Sequence, residues 1–412
     1  LILIKLIFSA QNIKKIKDSG KKNKTLRARI SKIMHKKVDK TLKLYYHIAM
    51  IILRLEYKLE RKMKINVILL LLFIVISAAL IDCSGDKGSS TNDEDTYITL
   101  TLGAYTVPKE AYQKEIIPAF KKMWKAKTGQ EVRFQESYMA SGAQSRTIAA
   151  GFEADIAALS LEQDIKRLED KGFITHNWKN KKYNGFVTRS VVVMAFRPGN
   201  PRQLNEWEDL TSGTIDVIYP SPKTSGGAMW FVNAVYGAGL KTTEQKSGQK
   251  DLAYARMLLK RIQLRVKVMD KSGRASVTTF ENGFGDVLLT YENEALLRQK
   301  QGKAFPFIIP DATILIENPI AIVDKNVDKH GNREAAEAFI DFVLSGEAQR
   351  SFARYGFRSV DDEVLKEFES QYPVPPLLFD IHYLGGWEKV TRDIYGPEGV
   401  WSQIIQELAH EH

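Results

Sequence analysis

Residues 215–228 read Ile215-Asp216-Val217-Ile218-Tyr219-Pro220-Ser221-Pro222-Lys223-Thr224-Ser225-Gly226-Gly227-Ala228. The stretch opens as a short apolar strand, Ile215–Tyr219, passes through a Ser/Thr/Gly-rich loop, and enters a helix expected from about Gly227 to Gly237. A helix starts with backbone N–H groups that have no partner inside it and with a partial positive charge. Glycine lets a ligand approach that backbone closely, and a serine hydroxyl adds one more donor, so such an end can hold an anion. Taken alone, a serine before a helix is most often only an N-cap. Here the design recurs. Ser141-Gly142-Ala143-Gln144 follows a strand at Val132–Gln135, and Asp270-Lys271-Ser272-Gly273-Arg274 follows a strand at Val266–Met269. In open α/β sheets ligands sit beyond the carboxyl ends of strands, which is where all three loops fall.

The rest of the chain from Tyr97 alternates in the same way. Strands are expected at Tyr97–Ala104, Glu131–Glu136, Ile156–Leu159, Ser190–Arg197 and Val287–Thr290. Helices are expected at Lys109–Thr128, Ala143–Phe152, Leu161–Lys171, Leu252–Ile262, Glu292–Gln299, Ala335–Phe342 and Gly346–Tyr355. Repeated strand–helix units predict an α/β architecture with covered, mostly parallel sheets.

The net charge of +11 over 412 residues suggests nucleic acid until it is located. Residues 1–62 hold 18 Lys/Arg against 4 Asp/Glu, residues 63–83 are neutral, and the remainder from Ser84 carries −3. The body therefore has no global field that would steer it to DNA or RNA. The single cysteine, Cys83, rules out an internal disulfide and a cysteine metal site. Met63-Lys64, the apolar run Val67–Ile81 and then Cys83 with a polar tract have the form of an export signal. A cysteine directly after the run resembles a lipoprotein signal, in which the thiol takes the lipid; Asp82 stands where that pattern wants a small residue. Residues 1–62 read as upstream sequence or a basic extension, 63–83 as the signal, and 84–96 as a tether. None of the seven histidines has metal-ligand spacing, so neither a metal nor a cofactor is expected. No loop matches a nucleotide P-loop or a nucleophile elbow.

Longer stretches around the three loops resemble a known family. These are Ser137-Tyr138-Met139-Ala140-Ser141-Gly142-Ala143-Gln144, Pro220 to Ala228, Ser272-Gly273-Arg274 with Thr278-Thr279-Phe280, and Gly285-Asp286-Val287 with Tyr291-Glu292-Asn293-Glu294-Ala295. Phe196-Arg197-Pro198-Gly199-Asn200-Pro201, Val323-Asp324-Lys325 and Gly385-Gly386-Trp387 add to them. In order, over about Tyr97 to Leu408, they are similar to the periplasmic sulfate-binding proteins of ABC importers. The resemblance implies a two-lobed type II periplasmic-binding fold with a hinge, lobe 1 taking 97–189 and 293–357 and lobe 2 taking 190–292 and 358–412. It implies a monomeric, exported, non-enzymatic receptor for sulfate, thiosulfate or a similar tetrahedral oxyanion, serving an inner-membrane permease. Carried over residue by residue, it implies hydroxyl and N–H donors from Ser141 and Ser225, backbone donors from Gly226, Gly227 and Gly273, and a backbone donor at Thr106, where the family commonly has Asp. Tyr291 stands where the family commonly has a donor-only Trp, and a tyrosine hydroxyl also accepts. Arg274 is expected to support its loop. With Glu292 and Glu294 beside Tyr291, phosphate or molybdate stays open as ligand, as does a hydrolase built on Ser225 and Lys223.

Overall fold

The computed structural model describes residues 97–410. The basic stretch 1–62, the signal 63–83 with Cys83, and the tether 84–96 lie outside the described residues.

The strands are β1 (Tyr97–Tyr105), β2 (Glu131–Met139), β3 (Ile156–Ala158), β4 (Phe186–Phe196), β5 (Val217–Pro220), β6 (Val266–Asp270), β7 (Val287–Tyr291), β8 (Phe307–Ile308) and β9 (Leu315–Ile322). They are ordered β2-β1-β3-β9-β4-β7-β5-β6, with β8 on β4. The helices are α1 (residues 109–128, with a π-helical turn at Tyr112–Ile116), α2 (Ser141–Ala149), α3 (Glu162–Asp170), α4 (Gly226–Ser247), α5 (Leu252–Gln263), α6 (Gly273–Glu281) and α7 (Glu292–Lys300). Then follow α8 (Asp324–His330), α9 (Arg333–Val343), α10 (Gly346–Arg354), α11 (Asp362–Glu367), α12 (Gly386–Asp393) and α13 (Val400–His410).

Two parallel triplets make up the sheet. β1 pairs in parallel with β2 and β3, and β5 with β6 and β7. Between them run β4 and β9, antiparallel to each other and to their outer neighbours. The first half of β4 pairs with Leu315–Pro319 of β9, while its second half, Val192–Phe196, pairs with β7. The last residues of β9, Ile320–Ile322, pair with β3. Two strands thus belong to both halves, and the fold is a two-lobed α/β architecture whose lobes share a pair of crossing strands. α7 and β8 pack on β4 in the second half.

β4 carries the burial expected of a shared strand: Val191, Val192, Val193, Met194 and Ala195 have no exposed surface. Burying each of the larger side chains contributes about 1.5–3 kcal/mol relative to exposure. α4 is buried on nearly every face along its first four turns, as a helix between two layers must be. It runs on to Ser247 instead of ending near Gly237. Gly237 and Gly239 are there for close packing: a Cβ would lie 2.3 Å from the Phe379 ring at the first and 2.7 Å from Ala255 Cα at the second. Arg197 fastens the turn before β7 by donating to the carbonyls of Phe280, Phe284 and Gly285.

Candidate functional site

Two sets of three parallel strands end toward the same place. Just beyond the ends of β1, β2 and β3 stand Thr106, Ser141 and Ser160; beyond β5 and β6 stand Ser225 to Gly227 and Gly273; β7 ends on Tyr291. Thr106, Ser141, Ser160, Ser225, Gly227, Gly273 and Tyr291 line one cavity of about 20 Å³, with Tyr105, Val107, Phe231, Thr290 and Glu294 among its other walls. One water needs roughly 10–15 Å³ of such space, so the cavity as it stands is about one water in size. Clefts of about 940 and 560 Å³ exist elsewhere, but they are open grooves that gather none of these strand ends. Gly226 stands behind the lining, where a Cβ would lie 2.8 Å from Leu161 Cγ and 3.0 Å from Ser160 Oγ. A Cβ on Gly227 would come 3.4 Å from both Ser225 Oγ and Tyr291 Cε1. Glycine at 226 lets the start of α4 press against the opposite half, and glycine at 227 lets it sit close to Tyr291 in its own half.

On the first wall the Ser141 hydroxyl is held by its neighbours. It donates to Asp164 Oδ2 at 2.6 Å and accepts the Ser160 N–H at 2.8 Å. Asp164 is fixed in turn by Arg167 Nη1 at 2.8 Å. The Ser160 carbonyl accepts from Trp230 Nε1 at 3.0 Å and from Asn318 Nδ2 at 3.1 Å. Trp387 packs edge-on against Trp230, 4.8 Å between ring centroids, which gives the Gly385-Gly386-Trp387 stretch its work. On the second wall Ser225 Oγ has no hydrogen-bond partner among the described residues. Neither α2 nor α4 has a side-chain cap, so their first N–H groups are open. α6 differs, because Ser272 Oγ caps it by accepting from Ala275 N at 3.2 Å.

Three contacts tie the walls together. Ser160 Oγ and Tyr291 Oη lie 2.7 Å apart. Trp230 on α4 reaches the Ser160 carbonyl as described. Arg274 on α6 makes a two-pronged pair with Glu110 on α1, at 2.6 and 2.9 Å, and also donates to Glu294 Oε1 at 3.0 Å. Glu294 is 1% exposed and its second oxygen lies 2.8 Å from Arg298 Nη1. The carboxylate in the cavity wall is therefore neutralised by two guanidinium groups. Burial pushes the Glu110 carboxyl up, but the hydrogen bond and charge of Arg274 outweigh it and leave the group below the usual carboxylate range. Burial pushes the Tyr291 phenol up, so it keeps its proton. The sequence reading did not single out Ser160, Asp164 or Glu110.

The family model for bacterial extracellular solute-binding proteins matches residues 100–358. The chain belongs to this family. Among bacterial extracellular solute-binding proteins, the sulfate-binding protein of Synechococcus elongatus is 38% identical over 79% of this chain and 92% of its own. The thiosulfate-binding protein of Pseudomonas aeruginosa is 33% identical over 73% and 90%. Of solved structures, the sulfate-binding protein SubI from Mycobacterium tuberculosis H37Rv superposes with a TM-score of 0.65 at 37% identity, covering 71% of this chain and 98% of that one.

Proposed function

We propose that this chain is the extracytoplasmic receptor of an ABC importer and captures sulfate or thiosulfate between its lobes. The observation that carries this reading is the convergence of six strand ends, three from each half, on one small cavity with two uncapped helix starts. The names of the relatives support it. The donors are the backbone N–H groups of Thr106, Ser141, Gly226, Gly227 and Gly273, the Ser225 hydroxyl, and a hydroxyl from Tyr291. Each charge-assisted bond contributes about 1.5–3 kcal/mol net. Six or seven of them, less desolvation and closure, can reach the roughly −8 kcal/mol of micromolar affinity. Ser141 contributes mainly through its N–H, because its hydroxyl proton is already given to Asp164. Arg274 acts on the cleft from behind, by joining Glu110 to Glu294.

A binding role, without turnover, is favoured by the surroundings of Ser225. Lys223 is exposed, and no histidine or lysine nitrogen is hydrogen-bonded to Ser225 among the described residues. Among the described residues no helix is long and apolar enough to cross a membrane. In this reading Cys83 tethers the receptor through lipid and the docking partner is the permease. The protein works as a monomer.

Equilibrium dialysis of the purified protein against labelled sulfate, with thiosulfate, phosphate and molybdate as competitors, tests the proposal. Saturable retention displaced by thiosulfate is expected. No retention of either sulfur oxyanion, or ester hydrolysis lost in Ser225→Ala, would overturn it. Palmitate labelling that is absent in Cys83→Ser checks the tether.

A further inference from the structure

The geometry points to Ser160 and Tyr291 as a joint specificity element that lets the cavity hold a tetrahedral oxyanion carrying one proton, of the hydrogen phosphate class, as well as a fully ionised one. The inference rests on the oxyanion reading above. Both side chains line the cavity, from opposite halves, with their hydroxyl oxygens 2.7 Å apart. Neither can readily leave. Tyr291 is 2% exposed and wedged between the rings of Tyr105 and Phe231. Ser160 is pinned on both sides of its peptide, by the Ser141 hydroxyl and by Trp230 and Asn318.

The pair carries two protons. Whichever oxygen donates to the other, one proton is used in the mutual bond and one stays free to point at a ligand. Lone pairs remain on the oxygen that donates in that bond. The pair therefore presents a donor and an acceptor at the same spot in the wall. Backbone N–H groups and an indole N–H present donors only. A fully ionised dianion needs donors alone. An oxyanion with its own hydroxyl also needs an acceptor, since a buried donor left unmatched costs roughly 1–3 kcal/mol. Glu294 is another acceptor in the wall: Arg274 donates to one of its oxygens, and Arg298 lies 2.8 Å from the other in an ion pair that balances its charge without a hydrogen bond. The hydroxyl pair is the acceptor that both halves build together, beside the single hydroxyl of Ser225.

Calorimetric titration of the full chain with sulfate and with inorganic phosphate, at about pH 8 where phosphate keeps one proton, tests this. The wild type should bind both anions. Ser160→Ala with Tyr291→Trp makes this spot donor-only. It should weaken phosphate roughly ten- to a hundredfold more than it weakens sulfate. Ser160→Ala alone, which leaves the tyrosine to choose between donating and accepting, should narrow phosphate binding in the same direction if the double variant does not fold. Sulfate binding without phosphate binding in the wild type, or an unchanged ratio in the variants, would overturn the inference and leave the receptor reading intact. Binding of neither anion by the wild type would overturn both.

Discussion

The two walls of the cavity use the same short motif, a serine at the start of a helix beyond a strand, and put it to different ends. At Ser141 the hydroxyl donates to Asp164 and accepts the Ser160 N–H, so it ties the start of α2 to the loop after β3 before any ligand arrives. At Ser225 the hydroxyl has no partner among the described residues, and the two glycines after it bring α4 within contact distance of Ser160 and Tyr291. One wall is pre-built; the other keeps its donor for the ligand. Preorganisation on one side limits what binding must order, which is where affinity is otherwise lost. The same residue type therefore predicts stability at one position and affinity at the other.

The largest effect should come from the contact that joins the walls. Arg274→Met leaves Glu110 exposed to solvent on one side and Glu294 buried with only Arg298. Urea denaturation should show a loss of about 3 kcal/mol; a loss below 1 would mean the halves do not depend on this pair. Ser225→Ala should lower sulfate affinity roughly ten- to a hundredfold, the worth of one hydrogen bond to a charged group, with an unchanged unfolding midpoint. Ser141→Ala should do the reverse in emphasis. It strands Asp164 and the Ser160 N–H, so stability should fall by about 1–3 kcal/mol while affinity falls less than in Ser225→Ala. If the two serine variants behave alike in both measurements, the contrast between the walls is wrong.

The smallest effect is in pH. Glu110 sits below its ordinary value in the folded protein, so its pair with Arg274 contributes fully above the ordinary carboxylate range. That contribution fades as pH falls through the lowered value. Unfolding followed down through the acid range should therefore fall more steeply in the wild type than in Glu110→Gln, and equal slopes would remove Glu110 from the link.

Much of this was legible in the chain. Short apolar strands followed by Ser-Gly loops announce both the parallel architecture and three of the six strand ends. Tyr291 and Thr106 came from resemblance, since a tyrosine before Glu-Asn-Glu or a threonine after a strand has no local signature. Ser160 was missed for a clear reason. The turn Leu159-Ser160-Leu161 has no glycine, and its serine is recruited by Ser141, Trp230 and Asn318, all distant in sequence. β9 was also missed. Asn318 and Pro319 interrupt its apolar run, and a proline argues against a central strand. Here Pro319 falls where β9 passes from β4 to β3, and its carbonyl still accepts from Leu159 N at 3.0 Å. α4 continues past Gly237 to Ser247, and the missing side chain at Gly237 makes room for Phe379.

The central claim is that strand ends from both lobes close on a tetrahedral oxyanion, with Ser225 as its uncommitted hydroxyl donor. Side-by-side calorimetry of the wild type and Ser225→Ala with sulfate tests it most directly. The account predicts one-to-one binding near micromolar Kd in the wild type and a tenfold or greater loss in the variant. No heat with sulfate or thiosulfate, or equal affinity in the two proteins, would contradict it.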